Sequence, residues 1–141
     1  MGNAKKVSDE FYTAGQPTPG DLQQAAQEGF KSVVNLRSPD EADFLSDEQQ
    51  QAEAAGLNYV NVPLNPKKAD DELTAKVLKE ISALPTPILL HCGAGARADA
   101  LALIALATNE GLSREQILKK AEELGININQ PHVKQFLESQ E

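Results

Sequence analysis

Two kinds of apolar pattern alternate along this chain: short apolar or β-branched runs, and longer stretches with helical spacing. Three short runs bounded by glycine or proline predict buried strands, at Ser32 to Leu36, Leu57 to Val62 and Pro87 to His91. A further run, Phe11 to Ala14, predicts another short strand, because turn-forming residues follow it at once.

Helical spacing predicts six helices between and after these strands. They lie at residues 21 to 29, Asp40 to Ala55, Asp70 or Asp71 to Ile81, Arg97 to Ala107, Ser113 to Leu124 and Pro131 to Ser139. The second helix could restart midway at Ser46 or Asp47, which are helix-capping residue types. The fourth is apolar nearly all round, as expected of a covered central helix. The third has one apolar stripe that is predicted to be buried, made of Leu73, Val77, Leu78 and Ile81.

This order of elements predicts a fold of the α/β class. Alternating strands and helices give a central, mostly parallel sheet of four or five strands with helices on both faces. With 141 residues, 40% of them apolar, the chain is long enough for one such domain and too short for two. We therefore predict a single domain over residues 1–141, with the polar segment 1–9 flexible.

Composition narrows the classes of function. Acidic side chains number 21 and basic ones 13, and the resulting net charge of −8 argues against nucleic-acid binding. The first ten residues are polar and the longest apolar run is too short to cross a bilayer, so we expect a cytoplasmic protein without membrane contact. One cysteine and two histidines predict neither a disulfide nor a structural metal site, and no cofactor is expected.

The chemically informative segment is HCGAGAR, which joins the strand ending at His91 to the apolar helix after it. Cys92 stands at the carboxyl end of a buried strand, where open α/β sheets bind ligands. Small residues then let backbone N–H groups turn toward an anion at a helix N-terminus. These oxyanion-binding residues are Gly93, Ala94, Gly95 and Ala96. Arg97 can bind two ligand oxygens, and the same donors favour the thiolate of Cys92 as a nucleophile.

Two interpretations of this loop stay open. The segment could be an ordinary tight turn in which Cys92 is buried as a small apolar residue. The strand before it, the glycines within it and the helix after it favour the functional interpretation. His91 is predicted to be a supporting residue that bonds the loop backbone and helps to hold the thiolate charge, rather than a base or a metal ligand.

HCGAGAR, preceded by PILL and followed by an apolar helix, resembles the signature loop of cysteine-dependent phosphatases of the dual-specificity type. The upstream segments FYTAGQPTPGDL, GFKSVVNLR and GLNYVNVPL resemble the bacterial phosphatase-like family once called DUF442, the beta-lactamase hydrolase-like phosphatases. The resemblance covers most of the chain, from Phe11 to about Ala107. It implies a cysteine-phosphatase-like fold in which Cys92 forms a phospho-enzyme, Arg97 binds phosphate, and an aspartate on a separate loop protonates the leaving group.

The sequence departs from the phosphatase pattern in three ways. Four residues separate Cys92 from Arg97, and this spacing resembles the active-site loop of rhodaneses, which carry sulfur as a cysteine persulfide. Ala98 stands where the phosphatases usually have Ser or Thr. The segment PLNP after the predicted strand Leu57 to Val62 contains no carboxylate. Asp70 and Asp71, a few residues on, are the candidates for the general acid, although helix capping is the interpretation that we favour for them.

Four further residues are expected near the loop. Arg37, at the carboxyl end of a central strand, belongs either to the site or to an ion pair. Asp99, in the first turn after the loop, would oppose anion binding unless it is paired. Gln16 and Tyr12, from the segment that includes AGQP, are expected to pack beside the loop.

The leading hypothesis is a phosphatase-like hydrolase that acts on a phosphorylated small molecule or a phosphoprotein, including phosphotyrosine protein. One alternative is a sulfurtransferase that takes sulfur from a sulfane-sulfur donor and forms a Cys92 persulfide. The other is a non-catalytic sensor of anions or phosphoproteins. All three use the same loop and differ in the chemistry after the anion has bound.

Overall fold

A mixed sheet of five strands forms the centre of the protein in the computed structural model, which describes residues 4–42, 44–65 and 67–139. Its strands are β1 (Lys5–Lys6), β2 (Phe11–Ala14), β3 (Ser32–Asn35), β4 (Asn58–Asn61) and β5 (Ile88–His91). They lie in the order β1-β2-β5-β3-β4, with β1 antiparallel to β2 and all other pairs parallel. The prediction of a mostly parallel sheet of four or five strands is confirmed.

Helices cover both faces of this sheet, as predicted. They are α1 (Pro19–Gln27), α2 (Glu48–Ala54), α3 (Asp71–Ser82), α4 (Ala96–Glu110), α5 (Arg114–Leu124) and α6 (Pro131–Ser139). Helices α1 and α2 pack on the face that carries Val33 and Leu89, and the other four pack on the face that carries Val34 and Leu90. Because neighbouring residues of a strand point to opposite faces, β3 and β5 are buried on both sides.

Helix α4 fixes the position of the loop that precedes it. Every residue from Arg97 to Ala107 except Asp99 is buried, which confirms the covered central helix that the apolar pattern predicted. The helix packs on β2 and β5 and also contacts α3, α5 and α6. Its amino end therefore lies against the carboxyl ends of the central strands. Within the described ranges, no helix combines the length and apolar character needed to cross a membrane.

The predicted helix from Asp40 to Ala55 is wrong in its first half. Helix α2 begins only at Glu48, with Asp47 at its N-cap, so the helix starts at the position predicted for a midway restart. Ahead of it the chain makes turns in which the Ser38 amide donates to the Glu41 carboxylate at 2.6 Å. A helix through this segment would move the Glu41 carboxylate away from Arg97, its partner 56 residues along the chain. Asp43, which the predicted helix included, lies outside the described residues.

Two smaller differences concern strand β1 and helix α3. The segment 1–9, predicted flexible, contributes β1 and the buried Val7, and its first three residues lie outside the described part of the chain. Strand β1 was not predicted, because a short edge strand pairs through its backbone and needs no apolar pattern. Leu73 is 36% exposed, so its place in the buried stripe of α3 is wrong. Pro66 of the PLNP segment also lies outside the described residues.

Candidate active site

The loop between β5 and α4 lies at the carboxyl ends of β2, β5 and β3, the parallel strands at the centre of the sheet. Two backbone bonds of 3.3 Å tie it to the end of β2: the Cys92 amide donates to the Ala14 carbonyl, and the Gln16 amide donates to the Gly93 carbonyl. Gly15 is needed between them, because a Cβ there would lie 3.0 Å from the Gly93 carbonyl oxygen. Gln16 thus packs beside the loop, as predicted.

Cys92 is almost fully buried, with 1% of its surface exposed. Its Sγ accepts a hydrogen bond from the Gly95 amide at 3.1 Å. Gly95 has φ +104°, in the left-handed region that favours glycine, and it stands at the N-cap of α4. The Asp99 amide then donates to the Gly95 carbonyl at 2.8 Å as α4 begins. An amide donor directed at Sγ stabilises the thiolate, which is the reactive form of cysteine.

Arg97, in the first turn of α4, is buried and held at both terminal nitrogens of its guanidinium. Nη1 donates to the carbonyls of Leu36 and Leu64 at 3.2 and 2.9 Å. Nη1 and Nη2 each donate to one oxygen of the Glu41 carboxylate at 2.8 Å. The pair is therefore bidentate, and its hydrogen bonds lower the pKa of Glu41 from 4.5 to about 2.

One edge of the Arg97 guanidinium remains for a ligand. No oxygen atom of a described residue accepts a hydrogen bond from Nε, and Nη2 keeps a second N–H, so the edge offers two parallel donors, which the Cys92 side chain shares through a hydrogen bond with Arg97. Nη2 lies 3.8 Å from the point that a Cβ at Gly93 would occupy. The Glu41 bonds raise the pKa of Arg97, and Cys92 raises it further. The structure therefore brings Arg97 and Cys92 together over the loop.

A second guanidinium, that of Arg37 just beyond β3, lies against the same loop. Its Nε is 3.9 Å from the Cβ point at Gly93 and 3.4 Å from Glu41 Oε1. Its Nη1 donates to Gln16 Oε1 at 2.8 Å. Arg37 thus belongs to an ion pair that lies inside the site. Glu41 is the site residue that the sequence analysis missed, and its spacing of four residues from Arg37 is the signal that could have suggested a pair.

His91 is fully buried and points to the opposite face of the sheet from Cys92. Its Nε2 lies 2.5 Å from the Glu48 carboxylate at the start of α2, and Glu48 is only 1% exposed. The other Glu48 oxygen accepts from Gln16 Nε2 at 2.6 Å. The expectation that His91 bonds the loop backbone is therefore wrong, because its partner is a buried carboxylate. Burial raises the pKa of the nearby Tyr59 to about 12, and Glu48 adds to the effect.

Asp70 and Asp71, the candidate acids, lie at the start of α3. Asp70 accepts from the amides of Glu72 and Leu73 at 2.9 and 3.3 Å, so the favoured interpretation as a helix cap is confirmed. Asp71 is exposed in the first turn. Acid catalysis by either residue stays a prediction. Across the described ranges, no three His, Cys, Asp or Glu side chains come together as a metal site.

Asp99 is paired rather than free beside the loop. It accepts from the Lys5 ammonium at 3.0 Å and from the Thr13 hydroxyl at 2.6 Å. The pairing removes the repulsion of an anion that an isolated carboxylate would cause. Tyr12 instead stacks edge-on against Phe30, with ring centroids 4.9 Å apart, and it contributes to the core on the α1 and α2 face.

The fold and the loop together define the class of phosphatase-like α/β domains. Tk-PTP, solved in the form called active, matches with a TM-score of 0.78 at 20% identity, over 97% of this chain and 95% of that one. A candidate phosphatase from Neisseria meningitidis matches with a TM-score of 0.76 at 23% identity, over 97% of each chain. At these identities the similarity establishes the fold.

Within that class, the chain belongs to the family described as the phosphatase-like domain of beta-lactamase hydrolase-like protein, whose model matches residues 3–109. The relative from Agrobacterium fabrum, a beta-lactamase hydrolase-like protein, is 26% identical over 117 residues, which is 81% of this chain and 27% of that protein. A relative from Xylella fastidiosa is 26% identical over 115 residues, 79% of this chain and 26% of that protein. The chain thus spans about a quarter of the length of these relatives, and the resemblance to the DUF442 family is confirmed.

Proposed function

We propose that this domain is a cysteine-dependent phosphomonoester hydrolase with Cys92 as its nucleophile. The observation that carries the proposal is the meeting of Cys92 Sγ, the Gly95 amide and the open edge of Arg97 at one loop. Structural neighbours support it. TpbA of P. aeruginosa was solved with phosphotyrosine (TM-score 0.73), and another neighbour is a PP-IP phosphatase domain from S. cerevisiae (TM-score 0.74). The proposed substrate is a phosphorylated small molecule or a phosphoprotein.

In the proposed reaction, the phosphate oxygens bind to the loop amides and to the Nε and Nη2 donors of Arg97. The Cys92 thiolate attacks phosphorus and forms an S–P bond. The P–O bond to the leaving group breaks, and its electron pair departs with the oxygen, which takes up a proton. Water then attacks the phospho-cysteine, loses a proton, and releases orthophosphate and the thiolate.

The source of the leaving group's proton decides which esters react well. Among the described carboxylates that contact residues of the loop and of the first turn of α4, Glu41 is bound to Arg97 and Asp99 is bound to Lys5. With a pKa of about 2, Glu41 is ionised at neutral pH and donates no proton. We therefore expect aryl phosphates to react faster than alkyl phosphates, because an aryloxide can leave without being protonated. A general acid at Asp70 or Asp71 would remove this difference.

Hydrolysis of p-nitrophenyl phosphate between about pH 5 and 8 tests the proposal. Cys92→Ser should abolish turnover. Arg97→Lys keeps the charge but loses the planar fork, and should lower kcat/KM by about 100-fold. The matched control is Arg114→Lys on α5, where the guanidinium donates to the Leu137 carbonyl; it should leave the rate unchanged. Absence of wild-type turnover across this range would contradict the proposal.

A second candidate function is sulfur transfer, which two observations favour. The loop has only four residues between Cys92 and Arg97, and the carboxylates beside it are paired. The Cys92 thiolate would attack the sulfane sulfur of thiosulfate, forming an S–S bond and releasing sulfite, and a thiol acceptor would then remove that sulfur. Mass spectrometry of the thiosulfate-treated protein should show the gain of one sulfur at Cys92, absent from Cys92→Ser. Phosphate binding without either reaction would identify an anion sensor instead.

A further inference from the structure

A buried series of hydrogen bonds runs beneath the loop, and the proposed reaction does not use it. Glu48 is at its centre: one carboxylate oxygen lies 2.5 Å from His91 Nε2, and the other accepts from Gln16 Nε2 at 2.6 Å. Gln16 Oε1 in turn accepts from Arg37 Nη1 at 2.8 Å. Glu48 is 1% exposed and Arg37 is 6% exposed, so water has little access to this series.

Two acceptors set the direction of these bonds: the Glu48 carboxylate at 2.6 Å and the Pro17 carbonyl at 3.0 Å both accept from Gln16 Nε2, and Glu48 is the shorter contact and carries the charge. A carboxylate accepts hydrogen bonds and donates none, so Gln16 must turn its amino group toward Glu48 and its carbonyl oxygen toward Arg37. With its amide reversed, Gln16 would present an N–H group to a guanidinium, which only donates. The backbone of Gln16 is also bonded to the Gly93 carbonyl. One side chain therefore connects the buried carboxylate, the second guanidinium and the first residue of the loop.

We propose that Glu48 is a positioning residue of the anion-binding loop. By orienting the Gln16 amide, it holds the Arg37 guanidinium against Gly93 and keeps a positive charge beside the bound anion. The proposal rests on the anion-binding loop of the proposed function, but it requires no turnover. Its test can therefore succeed or fail independently of phosphatase activity.

Alkylation provides a measurement that is independent of the natural substrate. Cys92 is the single cysteine of the chain, so the rate of thiol labelling reports on this site alone. Iodoacetate carries a carboxylate and iodoacetamide does not, whereas both react with the thiolate in the same way. The ratio of their rate constants thus measures how well the loop attracts an anion, after differences in thiol reactivity have cancelled.

Four variants test the coupling. Gln16→Leu removes the connection to Arg37 and should lower the iodoacetate to iodoacetamide ratio by at least about threefold. Gln16→Glu places two carboxylates face to face and should lower the ratio as well. Adding Glu48→Gln to Gln16→Glu places the amide donor of residue 48 opposite the carboxylate of residue 16. The effect of Glu48→Gln on the ratio should therefore depend on the background: the factor by which it raises the ratio should be at least about threefold larger in Gln16→Glu than in wild type.

The outcomes separate positioning from general destabilisation. Equal effects of Glu48→Gln in both backgrounds, or a wild-type ratio in Gln16→Leu, would overturn the proposal. Circular dichroism checks that each variant is folded. If the variant with two facing carboxylates does not fold, Glu48→Leu takes its place: the ratio in Glu48→Leu should fall as it does in Gln16→Leu, and a wild-type ratio would overturn the proposal. If the wild type hydrolyses no phosphate ester but the coupled change in ratio appears, the proposed function fails and the positioning role of Glu48 stands.

Discussion

Replacing Glu41 by glutamine should remove the charge partner of a buried arginine while keeping the shape of the side chain. Arg97 is 6% exposed and would retain neutral acceptors, among them the Leu36 and Leu64 carbonyls. The pKa of Glu41 is lowered from 4.5 to about 2, which corresponds to about 3 kcal/mol of stability at neutral pH. Since 23% of the Glu41 side chain is exposed and water screens part of the pair, we expect Glu41→Gln to lower the free energy of unfolding by about 2 kcal/mol.

The pH dependence of this loss tests its cause. The pKa of Glu41 is lower in the folded state, so the stabilisation is complete above pH 4.5 and is lost as the pH falls toward about 2. Urea unfolding followed by circular dichroism should therefore separate wild type from Glu41→Gln at neutral pH and bring them together near pH 2. Asp40→Asn, at an exposed neighbouring carboxylate, is the control and should match wild type throughout. A gap of equal size at both pH values, or none at neutral pH, would refute the reasoning.

Three further outcomes are expected. Gly95→Ala puts a side chain at φ +104° and should lower the free energy of unfolding by about 1–2 kcal/mol. Gly20→Ala lies within α1, where the atom nearest to the new Cβ is 3.7 Å away, and should raise the free energy of unfolding by about 0.5–1 kcal/mol. Thermal unfolding in which both variants match wild type would contradict this. Asp70→Ala should lose about 1 kcal/mol of stability and Asp70→Ser should retain it, with kcat unchanged in both; lower kcat in both would instead identify Asp70 as the acid. Raising salt from about 20 to 150 mM should increase kcat/KM for an anionic ester, because screening weakens the repulsion by the net charge of −8, and a decrease would indicate capture by a net positive field.

The segment that carries the loop could be predicted because its local patterns agree with one another. The run before Cys92 is apolar on both faces, small residues come next, and the helix that starts near Arg97 is apolar all round. Each pattern reflects burial between close neighbours in the sequence, so a single chain contains the information. The same agreement predicted the class of fold and the cap at Asp70, where a single side chain satisfies the amides of its own helix.

Glu41 and Glu48 could not be recognised in this way, because their roles depend on distant partners. Glu41 binds Arg97, 56 residues along the chain, and Glu48 contacts His91, 43 residues along. Both carboxylates lie in a polar stretch whose composition is that of a solvated helix, and apart from the four-residue spacing of Arg37 and Glu41 nothing local distinguishes them from exposed carboxylates. The prediction of a helix from Asp40 failed for the same reason: the bidentate pair with Arg97 outweighs the helical preference of the segment.

The charges at the loop explain how an acidic chain can hold an anion. Three positive groups lie beside it, Arg97, Arg37 and Lys5, against two carboxylates, Glu41 and Asp99, so one positive charge is in excess. That single charge attracts anions in general, and selection among them comes from the direction of the donors, namely the loop amides and the open edge of Arg97. Donors fixed in direction favour an oxyanion whose geometry fits them over anions in general. Loss of the planar Arg97 fork should consequently harm binding more than loss of an equal charge elsewhere around the loop.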